Sequence, residues 1–208
     1  MSSYSEQINR IKEKLVRAKR TDFRFTVFGA GRHQYIVNKP ASVNEITAFE
    51  QKYELELPEC YKAFLLQIGN GGISYADSAA GPAYGIYSLD KCADELLYEH
   101  TEKNLKNTCI LEPQISEERW ISLTRELENE ELPDEDYDKE IVKLYGGVLP
   151  VGSQGCTYIH ALILNGEHKG RIVNMDLDGQ QPHFAPEKNF LDWYEAWLDQ
   201  IIGHETKK

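Results

Sequence analysis

Residues 57 to 72, LPECYKAFLLQIGNGG, constrain the fold more than any other stretch of the chain. Leu57-Pro58 opens them, apolar residues recur at helical spacing, and Gly-Asn-Gly-Gly closes them. Pro58 suits a first helical turn, where a missing N–H leaves no bond unmade. Tyr61, Phe64, Leu65 and Ile68 fall on one stripe, and Gly69 is placed to take the left-handed conformation that ends a helix. The glycines are therefore expected to be a helix terminus rather than a phosphate cradle. A P-loop sets its glycines before a helix and closes on Gly-Lys-Ser/Thr, whereas these follow a helix, at its electronegative end, with no lysine.

Helical periodicity recurs elsewhere. Ile8, Ile11, Leu15 and Ala18 predict a helix over about residues 5 to 19, with Ser3 and Glu6 as a capping box. Its other face carries Arg10, Lys12, Lys14, Arg17 and Lys19, read as a solvated basic face with partner binding as the alternative. Ser42 and Glu45 form a second capping box before Ile46, Phe49 and Tyr53. NFLDWYEAWLDQII starts at an Asn189 cap and presents Trp193, Trp197 and Ile201, with Phe190, Tyr194 and Leu198 alongside.

Strand signals lie between the helices. DFRFTVFG alternates like a strand ending at Gly29-Ala-Gly31; that G-x-G lacks a third glycine and a following helical pattern, so it is no dinucleotide site. Gly81-Pro82 predicts a turn before a short strand from Tyr84 to Leu89. YIHALILN and RIVNMDLD predict an antiparallel pair around Gly166 to Gly170. Ile159, Ala161 and Ile163 share one face; His160, Leu162 and Leu164 share the other. Residues 91 to 140 mix weak helical spacing at Cys92, Leu96 and Leu97 with acidic turns. The expected architecture is α+β: a largely antiparallel sheet with flanking helices.

Charge and cysteine usage narrow the function classes. The chain of 208 residues carries a net charge of -11, which argues against direct nucleic-acid binding. Residues 1 to 39 hold nine basic and three acidic side chains, whereas residues 112 to 140 hold twelve acidic and three basic ones. The four cysteines, at 60, 92, 109 and 156, never form C-x-x-C, and MSSYSEQINRIKEKL lacks the apolar core of a secretory signal. A reduced, cytoplasmic protein is expected. The longest apolar run, AFLLQI, is far short of the roughly 20 residues that span a bilayer, so no membrane role is expected.

No motif carries catalytic chemistry, and no enzyme activity, metal or cofactor is expected. The six histidines, 33, 100, 160, 168, 183 and 204, form no closely spaced ligand pair. GSQGC at 152 to 156 has the wrong spacing for a nucleophile elbow, so Ser153 is expected in a turn and Cys156 as a small buried residue entering a strand. The acidic run ELENEELPDEDYDKE lacks the desolvated cleft that acid/base pairs need. It is read either as a solvated loop or as a surface for a basic partner. In the second case the binding side chains are Glu126, Glu128, Glu130, Glu131, Asp134, Glu135, Asp136 and Asp138, with Tyr137 as an anchor among them.

Four segments in order carry a family pattern: ITAFEQKYELELPECYKAFLLQIGNGG, GPAYGIYSL, LPVGSQGCTYIHALILNGEHKGRIVNMD and FLDWYEAWL. Together they resemble the SUKH superfamily of fungal cell-wall synthesis regulators and bacterial toxin-immunity proteins. The matching residues, Leu57, Pro58, Tyr61, Phe64, Leu65, Asn70, Gly71, Gly72, Tyr84, Gly85, Leu149, Pro150, Gly152 and Gly155, look like fold determinants. The resemblance divides the chain into a basic N-terminal extension (1–39), a SUKH-like domain (40–202) with an acidic insertion at about 91–140, and a short tail (203–208). It implies an α+β, non-catalytic binding module. Bacterial relatives neutralise toxins, many of them nucleases, in the cytoplasm; the alternative is an intracellular scaffold or regulator of cell-wall synthesis signalling. The expected partner is a protein, namely a toxin with a basic surface.

Overall fold

The computed structural model describes residues 4–71, 79–95, 104–129, 131–176 and 179–203. Eight α-helices and four strands lie among them. The helices are α1 (Ser5–Thr21), α2 (Ala30–His33), α3 (Val43–Tyr53), α4 (Glu59–Gln67), α5 (Leu89–Asp94), α6 (Glu117–Thr124), α7 (Asp134–Tyr145) and α8 (Phe190–Gly203). A 3-10 turn, Arg125–Glu128, follows α6. The strands are β1 (Val148–Gly155), β2 (Tyr158–Ile163), β3 (Ile172–Asp176) and β4 (His183–Phe184), in sheet order β1-β2-β3-β4 and antiparallel throughout. This is the α+β arrangement expected from the residue pattern. No helix of the described residues is long and apolar enough to cross a membrane.

Both faces of the sheet are covered, so its side chains alternate between two cores. Leu162 and Leu164, with Ile172 of β3, point into the larger core, built with α1, α4 and α8. Ile159, Ala161 and Ile163, with Val173 and Met175, point into a second core closed by Trp120 of α6 and Ile141, Leu144 and Tyr145 of α7. The larger core is aromatic at its centre. Phe190 is fully buried and packs its ring 4.9 Å from Tyr61 and 5.1 Å from Phe64. The stripe of α4 thus meets the stripe of α8, as their spacing requires.

The glycine cluster after α4 ends the helix in a different way from the expected one. The left-handed residue is Gly71, at φ 68°, and Ile68 caps the helix in a right-handed conformation. Gly69 is needed for space, because a Cβ there would lie 2.7 Å from the Asn38 carbonyl oxygen. Asn70 receives a hydrogen bond at its Oδ1 from the Leu89 backbone N–H (2.8 Å) at the start of α5. The cluster therefore clasps residues 38–39 on one side and α5 on the other. Gly72 lies outside the described residues.

The N-caps predicted at Ser42 and Asn189 hold, whereas α1 has Tyr4 at its N-cap with no side-chain cap bond. Ser42 and Glu45 complete their reciprocal capping box, and the Asn189 side chain accepts from Leu191 and Asp192. Ser3 lies outside the described residues, as do Leu96 and Leu97. The helix expected over 5 to 19 is α1, with Ile8, Ile11, Leu15 and Ala18 all buried.

The strand expected at residues 23 to 28 does not form. Asp22, buried, gathers the chain instead: its carboxylate accepts from Thr26 N (2.7 Å), Thr26 Oγ1 (3.0 Å), Val27 N (3.2 Å) and the Tyr35 hydroxyl (2.8 Å). Side-chain bonds to local backbone offer an alternative to a sheet ladder, and here they win. Phe23 and Phe28 consequently face solvent. Residues 30 to 33, where no helical pattern was read, form the single turn α2. Gly29 serves a close backbone approach, since a Cβ there would lie 1.6 Å from the Ala83 oxygen. Burial alone would raise the Asp22 pKa, but these donors outweigh it and hold the carboxyl below its ordinary value. Asp22→Asn should cost about 2 kcal/mol, the worth of charge-assisted hydrogen bonds, as a lower urea midpoint at unchanged slope.

Strand β1 was not anticipated, and Ser153 lies within it rather than in a turn. Pro150 and two glycines weaken the strand signal, and the ladder has irregularities between Pro150 and Gly152 and between Ser153 and Gly155. A Cβ at Gly152 would stand 2.5 Å from the Gly85 oxygen. The strand expected from Tyr84 to Leu89 is reduced to single bridges from Ile86 to Ala79 and Gly152, and Leu89 already opens α5. Cys156, expected to be buried, is exposed in the β1–β2 turn at φ 51°.

Candidate partner-binding surface

The acidic run is folded rather than a loose loop. Trp120 anchors α6 by burying its ring and donating its Nε1–H to the Gly179 oxygen at 3.0 Å. Ile141, Leu144 and Tyr145 anchor α7. Between and on these elements, Glu126, Glu128, Glu131, Asp134, Glu135, Asp136 and Asp138 are all exposed. Glu130 lies outside the described residues. The described acids of the run are thus exposed on, or next to, the elements that close the second core.

Their electrostatics divide them into two groups. Asp134, Glu135 and Asp136 occupy the first turn of α7, where a helix N-terminus favours negative charge by about 0.3–1 kcal/mol each. Asp136 also pairs with Lys139 at 2.8 Å. Local helix stability accounts for these three. Glu126, Glu128, Glu131 and Asp138 have no such role, and among the described residues no cation pairs with them. Tyr137 is 39% exposed and continues the Ile141–Leu144 stripe by one turn toward solvent. A half-covered aromatic ring beside a charged field suits a binding anchor.

At the other electrical pole, part of the basic face of α1 is paired with carboxylates of α8. Gln7, Arg10 and Lys14 converge on Glu195 of α8, with Arg10 Nε at 3.0 Å and Lys14 Nζ at 2.9 Å, and Lys14 also reaches Asp199. Burial would raise the Glu195 pKa, but these donors pull it down to about 2. The expected solvated face holds for Arg10, Lys12, Arg17 and Lys19, while Arg10 and the half-buried Lys14 also fasten the N-terminal helix to the C-terminal one. The signal was present in the sequence as Glu195, an acid between Trp193 and Trp197 on an otherwise apolar stretch.

Exposed aromatics are the feature that the sequence reading missed. Phe23 and Phe28 are 68% and 67% exposed. The Arg24 guanidinium lies 5.2 Å from the Phe23 ring centroid, Phe28 packs on Tyr84 at 5.4 Å, and Arg32 covers the Tyr84 ring at 4.0 Å. Alternation in DFRFTVFG set Phe23, Phe25 and Val27 against Arg24, Thr26 and Phe28; Phe25 and Val27 pack against the core, whereas Phe23 joins Phe28 in solvent.

Burial shifts several titratable groups toward their neutral forms. Burial pushes the His33 and His160 imidazoles down to about 4 each, so both are neutral near pH 7. Burial also pushes the Cys92 thiol up to about 12 and the Cys109 thiol up to about 11, which leaves them protonated and poorly nucleophilic. Among the described residues no group of three or more His, Cys, Asp and Glu side chains is placed to hold a metal ion.

Comparison with known proteins adds one finding: the family model described as SMI1 / KNR4 family (SUKH-1) matches residues 40–196, a span that includes the acidic layer. No curated protein and no solved structure matches the chain.

Proposed function

The chain belongs to the SMI1 / KNR4 family (SUKH-1), and from that premise we propose that it is a non-enzymatic binding module, an immunity protein that binds and neutralises a cognate toxin in the cytoplasm. The observation that supports the docking surface is the field of Glu126, Glu128, Glu131 and Asp138, exposed on elements packed through Trp120 and α7. Glu130, Asp134, Glu135 and Asp136 add to the same charge in sequence. Such a field attracts a basic surface, for example the nucleic-acid groove of a nuclease toxin, and orients the encounter. Tyr137 then supplies apolar contact once water is expelled.

The test begins with affinity capture from the native host, followed by rescue of toxin-expressing cells by this chain. With the captured toxin in hand, Glu126, Glu128, Glu131 and Asp138 are replaced by Lys together, sparing the helix-capping acids. The association rate should fall about 10- to 100-fold at low salt and lose its salt dependence. Tight binding with an unaltered salt response would remove the acidic face from the docking site. The alternative is an intracellular scaffold in cell-wall synthesis signalling. It is favoured by the exposed Phe23 and Phe28 on the basic side, a second surface that a one-partner inhibitor does not require.

A further inference from the structure

Five of the six cations of α1 fall into two sets with different fates. Arg10 and Lys14 are engaged by Glu195 and Asp199. Lys12, Lys19 and Arg20 lie on another side of the helix, and among the described residues no carboxylate pairs with them. Val16 stands between them in the i, i+4 series and is 52% exposed. These residues border a groove of about 480 Å³, floored by Leu15, Tyr35 and Ile68 and walled by Val16 and Val37. The lining is mainly apolar and the rim is uniformly basic.

Each half of this arrangement restricts the occupant. A concave apolar floor takes inserted side chains, as in helix-in-groove recognition, whereas a flat bilayer surface is met by protruding groups. Three cations within two turns of one helix, spaced around Val16, call for carboxylates flanking the inserted side chains. We propose that this groove docks an acidic amphipathic peptide segment of a partner protein, apolar side chains seated on Leu15, Tyr35 and Ile68 and carboxylates against Lys12, Lys19 and Arg20. This is a second site, opposite in charge to the acidic face and independent of any toxin.

The test uses fluorescence anisotropy with a labelled 16-residue peptide carrying Leu and Phe at i, i+3, i+4 and i+7 and Glu or Asp at most other positions. A scrambled peptide of the same composition is the control. The amphipathic peptide should bind at least 10-fold more tightly than the scrambled one, and binding should weaken several-fold between 50 and 300 mM salt. Lys12→Gln/Lys19→Gln/Arg20→Gln and, separately, Val16→Asp should each weaken it at least 10-fold. Both change exposed side chains, so circular dichroism should stay unaltered. The variant with Lys at 126, 128, 131 and 138 should bind the peptide normally, which separates this site from the acidic face. Equal binding of the two peptides, absence of binding, or indifference to these variants overturns the proposal. So does capture by vesicles of phosphatidylcholine and phosphatidylserine that the triple variant abolishes while the peptide does not bind. Concentration-dependent self-association that the triple variant abolishes would assign the groove to a second copy of the chain and overturn it equally.

Discussion

Lowering the pH from 7 to 4.5 should destabilise the fold by several kcal/mol, with a dependence approaching two protons near pH 5. The two groups responsible are His33 and His160, whose folded pKa values of about 4 lie below the ordinary 6.5. The sign follows from linkage: between those values the unfolded chain takes up protons that the folded chain refuses, so stability is full above pH 6.5 and declines toward pH 4. At 1.36 kcal/mol per pH unit, each histidine contributes at most roughly 3 kcal/mol of loss. Burial is the main reason for the refusal, and the hydrogen-bond geometry is consistent with neutral rings. His33 Nδ1 accepts the Tyr35 backbone N–H at 3.1 Å, so a proton there would displace a buried hydrogen bond. His160 bonds Asn174 Oδ1 through Nδ1 at 2.8 Å, while its Nε2 has no partner among the described residues in a site closed by the Trp193 ring. Asp22 and Glu195, both held below the ordinary carboxylate range, extend the loss to lower pH. Urea unfolding at pH 7.5, 6.5, 5.5 and 4.5 measures the slope, and His160→Gln should reduce it by about one proton. A stability that stays flat from pH 7 to 5 would mean that both rings accept a proton in the folded state, and a slope of one proton that one of them does.

What the sequence exposed and what it hid follow from the range of the forces involved. Caps and stripes act over four residues, and Ser42, Asn189, the α4 stripe and the α8 stripe were legible for that reason. The face assignment of Ile159, Ala161 and Ile163 against Leu162 and Leu164 was legible because the period of a strand is 2. Three features were hidden because they depend on distant partners. β1 is a strand only because β2 and Ile86 accept its irregular backbone, glycines included. The Asp22 loop needs Tyr35, 13 residues away, to complete its carboxylate. The basic face of α1 needed Glu195 at the other end of the chain to distinguish structural cations from available ones. The acidic run was legible as a cluster of charge but not as a helical layer, since its anchoring side chains are sparse: Trp120, Ile141 and Leu144 among many charged neighbours.

That sparseness makes Trp120 the test of whether the acidic face and the sheet are one cooperative body. Trp120→Ala should cost about 3–5 kcal/mol, from a lost buried ring and the hydrogen bond to Gly179. The two cores share strands β2 and β3 through alternating side chains, so loosening one loosens the support of the other. Unfolding should therefore stay a single transition, with a lower urea midpoint and an unchanged slope. Trp120→Phe, which keeps most of the ring but not the N–H, should recover more than half of the loss. A biphasic transition, or a shallower one, would show instead that α6 and α7 open separately from the larger core. The acidic residues would then have to be ordered during docking, and slow association would arise from that ordering as well as from charge. A single transition assigns the change in association rate caused by charge reversal to electrostatics alone.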